Sequence, residues 1–128
     1  MAGEKLSAKT TETVEFLDYV IVQSEHLASD VEEYAVAKKS AQADWVRQGI
    51  ARELGHLRQR AMQRNLGVVA DEIGRLAVQA GTGGSQAMKT RLLRDGVAAM
   101  RAACERIRKA TIDADVAQQR AEARGPEQ

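Results

Sequence analysis

His56 is the residue of this 128-residue chain with the clearest potential for chemistry. A phosphotransfer histidine presents its imidazole to the aspartyl phosphate of a partner, and nearby cations offset the charge of the phosphate. His56 falls about 120° from the centre of the apolar stripe of its predicted helix, counted at about 100° per residue, so we expect it at the surface. Arg52 and Arg60 lie one turn before and one turn after it. His56, flanked by these arginines, is therefore a candidate phosphoacceptor.

The chain downstream of His56 is similar to histidine-phosphotransfer domains in the order of its features. The segment Asn65-Leu66-Gly67 is followed by a periodic helix, a glycine loop and another helix. This resemblance implies a helical bundle in which His56 exchanges a phosphoryl group with a partner's aspartate. Those domains keep a basic residue three positions after the histidine and a small residue four positions after it, where this chain has Gln59 and Arg60.

Glu53 and His56 also form a Glu-x-x-His spacing, which places metal ligands one turn apart in ferritin-like carboxylate bundles. Such sites need a second motif of this kind and further inward-facing glutamates. Here Arg108 stands three residues after Glu105 in place of the second histidine, and His26 has no glutamate three residues before it. We therefore expect no metal site, no cofactor and no catalytic residue.

Charged residues are segregated along the chain, although nineteen basic and eighteen acidic residues leave a net charge of +1. Residues 11–37 contain seven acidic residues and no lysine or arginine, whereas residues 85–110 contain seven basic and two acidic residues. Residues 45–64 contain five arginines and one glutamate. One interpretation is intramolecular: the acidic helix packs beside basic neighbours, and this pairing decides which helices are adjacent.

The alternative interpretation is a basic face that binds an anionic partner such as nucleic acid. Arginines seven residues apart line one stripe of the last predicted helix, and two arginines eleven residues apart line one stripe of the second. The candidate face consists of Arg47, Arg58, Arg94, Arg101 and Arg108. Arginine stripes can neutralise phosphates. The chain has neither the interleaved aromatic residues of single-strand binders nor a recognised nucleic-acid-binding motif, so we favour the intramolecular interpretation.

The composition indicates an all-α domain with an aliphatic core. Aromatic residues make up 3% of the chain, and Pro126 is the only proline. A long proline-free stretch rich in Ala, Arg, Glu, Gln and Leu is typical of helix. The single cysteine, Cys104, cannot form an intrachain disulfide and is expected to be buried. Because the sequence shows no signal-peptide pattern and no apolar run long enough to span a membrane, we expect a cytoplasmic protein.

Apolar periodicity predicts an antiparallel up-down bundle of four helices. The predicted helix ranges are 11–37, 41–63, 66–80 and 85–111. The apolar stripe slips by one residue between the second and third helices, near Asn65, so a fused 41–80 helix is the alternative and would give three long helices. The glycine-rich loop 81–84 is the clearest helix boundary in the sequence, and Ser85 is expected to cap the last helix.

The ends of the chain are expected to lie outside the bundle. Residues 1–9 are predicted to form a flexible arm, with Thr10, Thr11 or Thr13 capping the first helix. Residues 10–111 are predicted to form the bundle. Large apolar residues become sparse after this range, so we expect residues 112–128 to form a helix extension and a frayed tail.

Residues 66–77, Leu-Gly-Val-Val-Ala-Asp-Glu-Ile-Gly-Arg-Leu-Ala, resemble the segment that follows the hairpin tip of bacterial chemoreceptor signalling domains. In that family this stretch packs in a long coiled-coil hairpin and contacts the coupling protein and the kinase. Arg60 and Gln63 stand where the tip glycines would precede the segment, and the long heptad arms are absent. No functional residue is carried over from this resemblance.

These patterns favour a non-enzymatic adaptor or accessory subunit that presents a helix face to another protein or to a second copy of itself. The broad apolar arc of the first helix and the heptad-like seam of the last helix support this expectation. A nucleic-acid-binding accessory protein is the first alternative, and a histidine-phosphotransfer module centred on His56 is the second. No membrane partner and no small-molecule substrate are predicted.

Overall fold

The computed structural model describes residues 5–125 and contains four α-helices, with no strand in that part of the chain. The helices are α1 (Ala8–Val36), α2 (Ser40–Gln63), α3 (Gly67–Gly81) and α4 (Gln86–Arg124). The most extensive packing joins α1 to α4 and α2 to α3, while α1–α2 and α3–α4 contacts close the ring. The predicted antiparallel four-helix bundle is confirmed.

A left-handed residue ends α2, so the alternative of a fused 41–80 helix is wrong. Asn65 has a φ of 58°. Its N–H donates to the Met62 carbonyl, and the N–H of Leu66 donates to the Ala61 carbonyl, each at 3.0 Å. These two bonds form a Schellman motif, and asparagine is the residue other than glycine that is found in the left-handed conformation at this position. Asn65 therefore terminates α2.

The first helix begins earlier than predicted, because Ser7 rather than a threonine caps it. The Ser7 side chain accepts a hydrogen bond from the N–H of Thr10 at 3.2 Å. The N–H of Ser7 donates to Asp115 of α4 at 2.8 Å, a contact between distant parts of the chain that local patterns do not reveal. Residues 1–4 of the predicted arm and residues 126–128 of the predicted tail lie outside the described residues.

The last helix continues well beyond residue 111, and α1 packs along it. Gln119 donates to the carbonyl of Lys5 at 2.7 Å, so the start of α1 is attached near the end of α4. α2 and α3 stop short of this level. Leu66, in the turn between them, and Ile107 of α4 line the same shallow pocket. The two-helix portion beyond that point has few fully buried residues. α4 ends at Arg124 and is followed by Gly125, whose φ is 80°.

The core is mainly aliphatic, as the composition predicts, although Phe16 and Tyr34 are also buried in it, and all four helices contribute to it. Its largest fully buried side chains are Leu17, Leu27, Ile50, Leu54, Leu57, Ile73, Leu93 and Met100. Cys104 is buried among them, and this burial raises the pKa of its thiol from 9.0 to about 11. Because the thiolate is the reactive form, Cys104 serves as a small apolar residue at neutral pH.

Close approach of α3 and α4 requires a glycine. A Cβ atom placed on Gly96 would overlap Cδ1 of Leu76, whereas a Cβ atom on Gly55, in the middle of α2, meets no atom within 4 Å. Leu76 is 3% exposed and has little room to move. Gly96 is therefore a packing residue, and Gly55 is a helix position at which glycine has no steric role.

This contrast predicts opposite results for two alanine substitutions. Gly55→Ala should stabilise the protein by about 0.5–1 kcal/mol, because alanine loses less backbone entropy in a helix. Gly96→Ala should be clearly less stable than Gly55→Ala, because overpacking a core typically costs about 1–3 kcal/mol. Urea denaturation of the two variants measures the difference. Equal gains in both would show that α3 and α4 are not in close contact at this position.

Candidate functional site

Three arginines of the predicted basic face pair with acids of α1. Arg94 makes a bidentate contact with Glu32, with both N···O distances 2.8 Å. Arg108 Nε lies 2.7 Å from Asp18. Arg101 lies 4.0 Å from Glu25 of α1 and 3.6 Å from Glu105 of its own helix. We call this row the α1–α4 ladder. The arrangement corresponds to the intramolecular interpretation of the segregated charges.

The pair of Glu32 and Arg94 in this ladder affects the acidity of its carboxyl group. The hydrogen bond from Arg94 lowers the pKa of Glu32 below its ordinary value of 4.5. A carboxyl whose pKa is depressed by folding contributes stability above its unfolded pKa, and this contribution is lost as the pH falls through the folded pKa. Because the pair is exposed to solvent, the contribution also weakens with added salt.

Arg47, the fourth arginine of the predicted face, is buried and caps the end of α3. Its Nη1 atom donates to the carbonyl of Ala80 at 2.9 Å and to that of Thr82 at 3.3 Å. Lys89, which is also buried, donates to the carbonyl of Gln79 at 2.6 Å. These cations satisfy carbonyls at the negative end of the helix dipole. Arg47 therefore has a structural role that helix periodicity could not reveal.

The five arginines of the predicted face do not share one surface. Arg58 is exposed and lies beside Gly74, in the groove between α2 and α3. The ladder arginines lie between α1 and α4, on the opposite side of the bundle. Of the five, only the three ladder arginines form a continuous row, and each of them already faces an acidic residue of α1.

His56 and its flanking arginines are exposed, as the helix geometry predicts. The guanidinium carbon of Arg60 lies 4.5 Å from the centroid of the Tyr19 ring. Arg52, on the turn before His56, lines a groove between α1 and α2. The two arginines therefore contact different features of the surface. Within residues 5–125, no group of three or more His, Cys, Asp or Glu side chains could hold a metal ion.

The groove between α1 and α2 is the most distinctive surface feature, and we call it the Trp45 groove. It has a volume of about 440 Å³. Its floor contains the buried residues Leu27, Val46 and Ile50, and Gly49 also lines it. Trp45 stands at its edge with 69% of the residue exposed. The polar and aromatic part of its lining consists of Gln23, His26, Asp30, Glu33, Trp45, Arg52 and Glu53.

The Trp45 groove carries unneutralised negative charge. Three carboxylates and one guanidinium line it, and none of these four groups forms an ion pair within the described part of the chain. The pKa of Asp30 is raised above 3.8, first by burial and then by repulsion from Glu33. Glu53 adds to this repulsion, and His26 partly opposes it.

Trp45 is not among the predicted site residues, although the sequence contains a signal that it is exposed. The apolar stripe of the second helix runs through Ala43, Val46 and Ile50, and position 45 lies off that stripe. A tryptophan off the apolar face of an amphipathic helix should be exposed. What the sequence could not show is that Asp30 and Glu33 of α1 would lie across the groove from it.

Comparison of the chain with known protein families, with curated proteins and with solved structures finds no match. The resemblances to histidine-phosphotransfer domains and to chemoreceptor signalling domains therefore rest on the short segments that suggested them. No helix in residues 5–125 combines the length and the apolarity needed to cross a bilayer.

The position of Arg47 generates a prediction that separates a structural role from a surface role. Arg47→Met should destabilise the protein by about 1–3 kcal/mol, because it leaves the Ala80 carbonyl without its buried donor. The matched control, Arg91→Met, changes an exposed arginine of α4 and should stay within about 0.5 kcal/mol of the wild type. Thermal or urea denaturation measures both. Equal stability of the two variants would contradict the capping role.

Proposed function

We propose that this protein is a non-enzymatic adaptor that binds a partner protein at the Trp45 groove. The observation that carries the proposal is the exposure of Trp45 beside a groove with a buried apolar floor. Tryptophan is among the residues that contribute most to protein interfaces, because its large surface gains strongly from burial. Phe16 and Tyr34, by contrast, are almost fully buried in the bundle, at 3% exposure each.

The two alternative functions have less support from the geometry. A nucleic-acid face needs arginines directed to solvent along one surface, but Arg47 is buried and the ladder arginines contact acids. A phosphotransfer site at His56 would draw on both flanking cations, but Arg60 lies over Tyr19. An adaptor needs neither arrangement, since a surface with an aromatic anchor is sufficient.

Our proposal places the protein in the cytoplasm, with another protein as its partner. The buried thiol of Cys104 is compatible with a reducing compartment. Self-association is the alternative occupancy of the same groove, and the experiment below distinguishes it by the mass of the product.

Photocrosslinking at the groove tests the proposal. Benzoylphenylalanine replaces Trp45 in the protein expressed in its own cells, and irradiation should yield an adduct with a second protein. The matched control carries the same group at Val36, which is 73% exposed and lies outside the groove. An adduct at twice the mass of this chain would indicate a homodimer. The proposal fails if position 45 gives no adduct, or no more adduct than position 36.

A further inference from the structure

Two aromatic residues of α1 each have an arginine side chain of the α2 end packed over the ring. The guanidinium carbon of Arg64 lies 4.7 Å from the Phe16 centroid, and that of Arg60 lies 4.5 Å from the Tyr19 centroid. Both distances are within the range of favourable cation–π contacts. Trp45, towards the other end of α2, has the ring type that binds cations best but has no cation over it within residues 5–125.

The acidic residues of α1 also fall into two sets, one with an arginine partner and one without. On the side that faces α4, Glu32 and Asp18 each lie within 2.8 Å of an arginine nitrogen. On the side that faces α2, Asp30 and Glu33 line the Trp45 groove and have no ion-pair partner in the described part of the chain. The bundle thus neutralises one acidic side of α1 and leaves the other side available to a cation from outside.

We propose that the Trp45 groove binds an arginine side chain of the partner protein, with the guanidinium over the Trp45 ring and within reach of Asp30 and Glu33. This inference rests on the proposed adaptor function and specifies the chemistry of its partner. Arginine suits the site because its planar cation can stack on an indole and donate to carboxylates at the same time. Its aliphatic stem can cover the apolar floor formed by Leu27 and Val46.

The repulsion around Asp30 supports the same occupant. Burial and the neighbouring carboxylates raise the pKa of this side chain, so its charge costs more free energy in the groove than in water. A bound guanidinium would relieve that repulsion. Replacing Asp30 with asparagine should therefore preserve or increase stability at neutral pH while it removes part of the attraction for a cation.

Titration with a defined peptide tests the inference directly. The probe is acetyl-Ala-Arg-Ala-Ala-Arg-Ala-amide, and the control probe carries citrulline, an uncharged analogue of arginine, at both arginine positions. Trp45 is the only tryptophan of the chain, so its fluorescence reports on the groove without labelling. The arginine peptide should shift the emission and bind at least about tenfold more tightly than the citrulline peptide, since hydrogen bonds to charged groups are the stronger ones.

Two double variants separate the groove from general attraction to an acidic surface. Asp30→Asn/Glu33→Gln should weaken binding of the arginine peptide by about tenfold or more, with a melting temperature at or above that of the wild type. Glu12→Gln/Glu15→Gln removes the same charge from exposed positions of the same helix, outside the groove. This second variant should bind the peptide as the wild type does, measured by calorimetry.

Three outcomes would overturn the inference. They are equal binding of the two peptides, equal weakening in the two double variants, and binding of spermidine as tight as that of the arginine peptide. The last would identify the groove as a polyamine site. If one of these outcomes is found while the crosslink at position 45 still forms, the proposed adaptor function stands and only the proposal of an arginine ligand fails. Loss of the crosslink removes the adaptor function itself.

Discussion

The pairing of α1 with α4 is the interaction on which the rest of the structure depends. Each step of seven residues along α1 is matched by seven residues back along α4, which fixes an antiparallel register. The three pairs are Glu32–Arg94, Glu25–Arg101 and Asp18–Arg108. The same register brings the side chain of Gln86 to the end of α1, where it donates to the carbonyls of Tyr34 and Ala37 at 2.7 and 2.9 Å. One pairing therefore aligns both ends of the two longest helices.

This pairing also determines which charges remain for function. A net charge of +1 suggests a nearly neutral molecule. The ladder, however, pairs the acids on one side of α1 with arginines of α4 and leaves the side that faces α2 acidic. The groove on that side contains an exposed tryptophan and carboxylates held close together. Surface ion pairs contribute little stability individually. Their main effect here is to distinguish the two faces of one helix.

Much of the fold is predictable from the sequence, because it follows from local physics. The four helices, the aliphatic core and the capping role of Ser85 all follow from periodicity and propensity, and Ser85 accepts a hydrogen bond from the N–H of Met88 as expected. The candidate site is less predictable. Arg47 and Lys89 cap α3 from other helices, and the acids facing Trp45 come from α1. Contacts of this kind depend on which helices become neighbours, and helix periodicity alone does not specify that.

A charge-reversal cycle tests the central claim that the ladder sets the pairing of α1 with α4. Exposed pairs are weak individually, so all three positions are changed together. Replacing the three ladder arginines by glutamate should lower the melting temperature at low salt, and reversing Glu32, Glu25 and Asp18 to arginine in the same protein should restore most of the loss. High salt should shrink the difference. If the triple arginine reversal leaves the melting temperature unchanged, or if the six-residue swap fails to recover it, the arginines do not face α1 and the account is contradicted.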